Sequence, residues 1–177
     1  MSLGGGGAAH AYLGRVQGKA PAEGGSAKSE RALADALRWL ARQQRPDGSW
    51  AAPQREVEVS SLVLLAFLGR GHTHRFGRYK RTVDKGLLWL RRQERQGSFS
   101  PQASAHLRAT QALCEALAIT QDFVLKRSAE RGVARALILE ARDEAGAARI
   151  LLTLRCAAEA GLRVERRKVE AHLAALV

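Results

Sequence analysis

The stretch "QQRPDGSW" (43–50) lies between an amphipathic run and an apolar one, and "RQERQGSF" (92–99) reads as a second copy of it. Within Arg45-Pro46-Asp47-Gly48, proline suits the second position of a type I turn and glycine the fourth. The preceding helix must stop near Gln44, because the residue before a proline is held out of the α region. Gln44 is expected to offer its amide to the free carbonyls of that helix end. Trp50 can then cover the turn and bury a large aromatic surface. Nothing in the stretch is a nucleophile, a base or a metal ligand. It reads as a staple that closes one helix onto the next.

Working outward from the two staples, the apolar pattern is helical throughout. "SERALADALRWLARQ" (29–43) places Leu33, Leu37 and Leu40 on one face, with Ser29 as the expected cap. "SLVLLAFL" (61–68) is apolar all round, as a helix covered on most sides would be. "RTVDKGLLWLRRQ" (81–93) is amphipathic again through Val83, Leu87 and Leu90. "ASAHLRATQALCEAL" (103–117) carries Ala105, Ala109, Ala112 and Ala116 along one ridge, which lets a neighbouring helix approach closely. Expected helices at 124–141, 146–160 and 166–176 complete the pattern, and no period-2 run competes. Amphipathic and apolar helices alternate with a period of about 46–50 residues, the mark of stacked αα-hairpins with outer and inner layers.

The glycine-rich segment 1–27 has no period and reads as a flexible lead-in to a repeat domain over 28–177. It lacks the basic start and continuous apolar core of a signal peptide, and no stretch is long and apolar enough to span a bilayer. A soluble chain, cytoplasmic by default, is the expectation. Cys114 and Cys156 both fall in apolar helical runs and read as reduced core thiols. Lys and Arg number 29 against 17 Asp and Glu, a net charge of +12. The excess is densest over 70–95, and Arg70, Arg75, Arg78, Lys80 and Arg81 form a candidate basic edge for a polyanion. The plainer reading of that run is a solvated helix face.

Gln44-x3-Gly48-x-Trp50 and Gln93-x3-Gly97-x-Phe99 resemble the Gln-x3-Gly-x-Trp/Phe repeat of the squalene–hopene and oxidosqualene cyclases. The repeat is shared across the prenyltransferase and squalene-oxidase repeat superfamily of terpenoid-cyclase-like α/α-toroids. The resemblance covers residues 30–175, and "EVSSLVLLAFLGRGHTHRFGRYKRTVDKGLLWL" is similar to uncharacterised bacterial members. The third unit, "LILEARDEAGAA" (137–148), keeps the hairpin but lacks both glutamine and aromatic. Seven helices make three and a half hairpins, so the resemblance implies an all-α, incomplete toroid. It would be an open arc, or one completed by another chain such as a second copy.

The cyclases protonate an alkene with an Asp-x-Asp-Asp motif at the start of an inner helix. The matching stretch here is "EVEVSS" (56–61), where Glu56 and Glu58 take the first two acidic positions and Val59 the third. Those glutamates are candidate cavity acids; more simply, they are negative charges at a helix N-terminus. The zinc ligands of prenyltransferase β-subunits have no counterpart: there is no Asp-x-Cys, and His106 and Cys114 stand eight apart on one helix. His72 and His74, in "GHTH", are the weak metal candidates and would need a third ligand from elsewhere. Thioester proteins of the complement type are excluded by the lack of Gly-Cys-Gly-Glu-Gln. No motif calls for a cofactor and no residue set reads as catalytic. The expectation is a noncatalytic binding or scaffold domain that holds a protein or an apolar ligand on its concave face. The alternative is a degenerate cyclase-like enzyme or isoprenoid-binding protein.

Overall fold

The computed structural model describes residues 27–50, 54–141 and 143–174, so most of the expected lead-in lies outside the described residues. Among the described residues seven helices follow in order: α1 (Ala27–Arg42), α2 (Glu56–Gly69), α3 (Lys80–Arg92), α4 (Ala103–Thr120), α5 (Phe123–Ala136), α6 (Glu144–Glu159) and α7 (Arg166–Ala174). Among the described residues there is no strand, only two isolated bridges, Gln44 with Trp50 and Arg95 with Ser98.

Several ends differ from the periodicity reading. α1 already runs at Ala27, which puts Ser29 inside the first turn rather than at the cap. α2 starts at Glu56, five residues early, because Val59 N–H already bonds the Arg55 carbonyl and Glu56 and Glu58 suit the positive end of the helix. α5 stops at Ala136, where Ile138 and Leu139 N–H groups turn back to Arg135 and Ala136 in a tightened last turn. Its apolar tail therefore belongs to the connection. α6 is capped by Asp143, whose Oδ1 accepts from Gly146 N–H at 2.6 Å.

α4 is the centre of the packing and touches α2, α5 and α6. All four alanines of its ridge are buried, as the spacing predicts. α2, α4 and α6 thus form a contiguous row, with α1 and α3 packed on α2, α5 on α4 and α6, and α7 on α6. The alternation of apolar and amphipathic helices follows from this order, since the row is covered from several sides. Phe67, Leu64 and Leu68 of α2 are fully buried, each worth roughly 1.5–3 kcal/mol of transfer free energy. Cys114 and Cys156 are buried free thiols.

Candidate functional site

The two staples were the sequence's strongest signal. In the first, Arg45 N–H bonds the Ser49 carbonyl at 2.8 Å and Gly48 N–H bonds the Arg45 carbonyl at 3.0 Å. Asp47 Oδ1 accepts from both Ser49 N–H and Ser49 Oγ, contacts that hold its carboxyl below the usual range. Trp50 is 2% exposed and donates its ring N–H to the Leu40 carbonyl at 2.7 Å, while its backbone N–H goes to Ser60 Oγ. Gln44 does not cap α1. Its amide donates to the Gly48 carbonyl at 3.0 Å and across to Thr82 of α3 at 2.9 Å. The staple therefore joins three helices, because its turn lies on α3: a Cβ on Gly48, at φ +100°, would meet the Lys85 carbonyl oxygen at 2.3 Å.

The second staple performs the same joining with other chemistry. Its turn is one residue shorter, with Arg95 and Ser98 exchanging both backbone bonds around Gln96 and Gly97 at positive φ. "RQQR" (42–45) therefore matches "RQER" (92–95), and Gln44 corresponds to Glu94, not to Gln93. Gln93 stays local, its amide on the Trp89 carbonyl at 3.1 Å. Glu94 makes the long reach, its Oε1 accepting from Arg131 of α5 at 2.7 Å. Phe99 is buried like Trp50, and its backbone N–H points to His106 Nδ1 at 3.4 Å. His106 stands where Ser60 stands in the first unit, 46 residues earlier, and its Nε2 donates to the Gly132 carbonyl at 3.2 Å. One nitrogen accepts and the other donates, which is the neutral imidazole; burial, with a smaller contribution from Arg135, depresses its pKa to about 4. Glu94 and His106 were the residues the fixed-spacing motif missed. The signal was the shared "RQ-x-R" tetrapeptide, hidden by the deletion.

The other sequence candidates are dispersed. Glu58 is held by Arg55 on its own N-terminal turn at 2.9 Å, and Glu56 is half-buried beside it. The neighbouring hydroxyls are occupied: Ser60 Oγ takes the Trp50 N–H and Ser61 Oγ donates to the Val57 carbonyl. Within the basic edge, Arg70 pairs with Glu30 and Arg75 with Asp122, Arg78 lies over the Tyr79 ring, and Lys80 and Arg81 are exposed at the start of α3. His72 stands edge-on to Tyr79 and His74 Nε2 donates to Asp122 Oδ2 at 2.8 Å, so the two imidazoles serve different neighbours. Among the described residues no group of three or more His, Cys, Asp or Glu is placed to hold a metal ion.

On α4 and α6, Glu115 is driven up to about 7, first by burial and then by Glu159. The thiol of Cys156 is pushed up to about 11 by burial and then by Glu115, and that of Cys114 to about 12 by burial. Both thiols keep their protons, so neither is an activated nucleophile.

An opening lies at the connection of the third unit, whose sequence has neither glutamine nor aromatic. A cleft of about 790 Å³ is bounded by the first turn of α4 (Ala103, Ser104, Leu107), by Ile138–Ala141, and by Asp143, Gly146, Arg149 and Ile150 of α6. Leu107, Leu139 and Ile150 give it apolar walls, and Ser104, Glu140 and Arg149 give it polar groups. Where Trp50 and Phe99 fold back in the first two units, "LILEARD" (137–143) has no ring to do so.

No family model, curated protein or solved structure matches the chain. Among the described residues, no helix is long and apolar enough to cross a membrane.

Proposed function

We propose that the chain is a noncatalytic binding module, an open α/α-toroid-like arc that holds an apolar ligand with a polar or anionic end in the cleft of its third unit. The observation that carries the reading is the cleft itself, at the third unit's connection, which has no ring to match Trp50 and Phe99. Ligand sites are concave, mostly apolar and furnished with a few polar groups. Here Leu107, Leu139 and Ile150 would take the apolar body, and Ser104 and Arg149 the polar end. The contiguous row of α2, α4 and α6 supports an arc with inner and outer layers. The kinship to terpenoid-cyclase-like repeats rests on the first staple, and is weakened by the second, whose glutamine does not make the reach.

Binding of a fluorescent long-chain fatty acid tests the reading. The full chain should bind it saturably, Ser104→Trp should block the cleft, and Arg149→Ala should weaken binding by about tenfold, the order expected for a charge-assisted contact. Thermal midpoints of both variants should stay near the parent's, since both positions line the opening. Binding that is absent, or indifferent to Ser104→Trp, would sink the proposal. Incubation with squalene should yield no cyclised product, because Glu58 is spent on Arg55 and Val59 replaces the third acid; a cyclised product would establish the enzyme instead.

A further inference from the structure

A second surface lies away from that cleft, where the α2–α3 loop meets the start of α5. Phe123 is 81% exposed, Val124 56% and Phe76 41%. Three large apolar side chains in water are held there by a constructed support. Asp122 caps α5, its Oδ1 accepting from Val124 N–H at 3.0 Å. Its Oδ2 receives His74 Nε2 at 2.8 Å and Arg75 Nη2 at 3.1 Å. The loop is braced from within by buried Thr73, whose Oγ1 accepts from the N–H groups of Arg75 and Phe76. Its own N–H bonds the Phe76 carbonyl at 3.0 Å. Two segments almost fifty residues apart are thereby clasped side by side, with Phe76 on one and Phe123 and Val124 on the other.

Exposed cations flank these side chains along the chain. Arg78, Lys80 and Arg81 follow Phe76, and Lys126 and Arg127 follow Val124; all are exposed. Against them stand Asp122, engaged by His74 and Arg75, Glu130, 3.9 Å from Lys126, and Asp84, exposed one turn along α3 from Lys80 and Arg81. The field over the patch is therefore positive, in a chain of net charge +12.

We propose that this clasped patch is a docking surface for an anionic membrane, with Phe123, Val124 and Phe76 entering the headgroup boundary and the flanking arginines and lysines meeting lipid phosphates. Exposed apolar side chains at the tips of fixed segments suit shallow insertion, and the flanking basic residues add electrostatic attraction to acidic lipid. A base-stacking nucleic-acid surface would instead need its rings along a cationic groove. Phe123, four-fifths exposed at a helix start, has no groove wall beside it.

Sedimentation of the full chain with phosphatidylglycerol/phosphatidylcholine vesicles tests the proposal. Binding is expected to anionic vesicles and not to pure phosphatidylcholine, and to weaken as salt rises. The double variant F123S/V124S keeps every charge and should lower partitioning at least about tenfold, the scale of losing two inserted apolar side chains. Trp39→Ser, which removes another exposed apolar side chain on α1 (60% exposed), should leave it unchanged. Arg78→Glu with Arg127→Glu should abolish the preference for anionic lipid. Equal binding by F123S/V124S would show mere adsorption of a basic protein and overturn the proposal. It would also be overturned by a single-stranded oligonucleotide that binds and is lost with the same two residues while vesicles are not bound. Circular dichroism of each variant checks that the fold is kept.

Discussion

The two staples are built on one plan from different parts. Each lays a turn on the next amphipathic helix, buries an aromatic beneath it, and reaches across with one side chain to lock the pair. The first makes the reach with an amide donating to a backbone carbonyl, Gln44 to Thr82. The second does it with a carboxylate accepting from a guanidinium, Glu94 from Arg131. The first supports the aromatic's N–H with Ser60, the second with His106. The equivalence is geometric: what is kept is the position of the turn over the neighbouring helix, and donor and acceptor can exchange roles. Opposite both stands the third connection, which keeps its two helices, lacks the ring, and opens into a cleft.

The largest effect should come from the aromatics. Trp50→Ala should cost about 4 kcal/mol and Phe99→Ala about 3 kcal/mol in urea unfolding, since Trp50 also loses its bond to Leu40. Equal losses would show that the indole bond contributes nothing.

The histidine makes the second staple sensitive to mild acid, whereas Asp47 of the first, held below the usual carboxylate range, takes up its proton only in stronger acid. The folded-state value for His106 lies near 4, below the ordinary 6.5, so the unfolded chain takes up the proton first. Stability should fall by about 3 kcal/mol as pH drops from 6.5 to 4. His106→Ser, which copies Ser60, should remove that dependence. Glu115 acts with the opposite sign. Its carboxyl is raised from 4.5 to about 7, so its contribution is full below 4.5 and is lost as pH rises towards 7. The comparison is therefore cleanest in a Glu115→Gln background. An unchanged pH profile in His106→Ser would remove the histidine from the account.

Next come the turn glycines. Gly48→Ala places a Cβ 2.3 Å from the Lys85 carbonyl oxygen, Gly97→Ala one 3.2 Å from that of Arg131, both at positive φ. Costs of about 2 and about 1 kcal/mol are expected, and the reverse order would overturn the closer seating of the first turn. The smallest effects belong to the reaching side chains. Gln44→Ala should cost about 1 kcal/mol, independent of salt. Glu94→Ala should cost about 0.5–1 kcal/mol, shrinking as salt rises, because Arg131 is half exposed. A salt-dependent Gln44→Ala would contradict the neutral bond described for it.

The helices were legible in the chain itself. The 3.6-residue apolar period, the all-apolar α2 and the alanine ridge of α4 depend only on which residues share a helix face, and that is set by position along the chain. The first turn was legible too, since Pro46 and Gly48 restrict the backbone locally. The second was misread by one residue, because a fixed motif spacing cannot register a deletion whose compensation comes from α5. The roles of Glu94 and His106, the cleft beside Leu139 and the clasp between His74 and Asp122 all join segments far apart in sequence. Such contacts arise only when helices are placed against one another, for a side chain's partner is decided by packing in three dimensions and not by its neighbours along the chain.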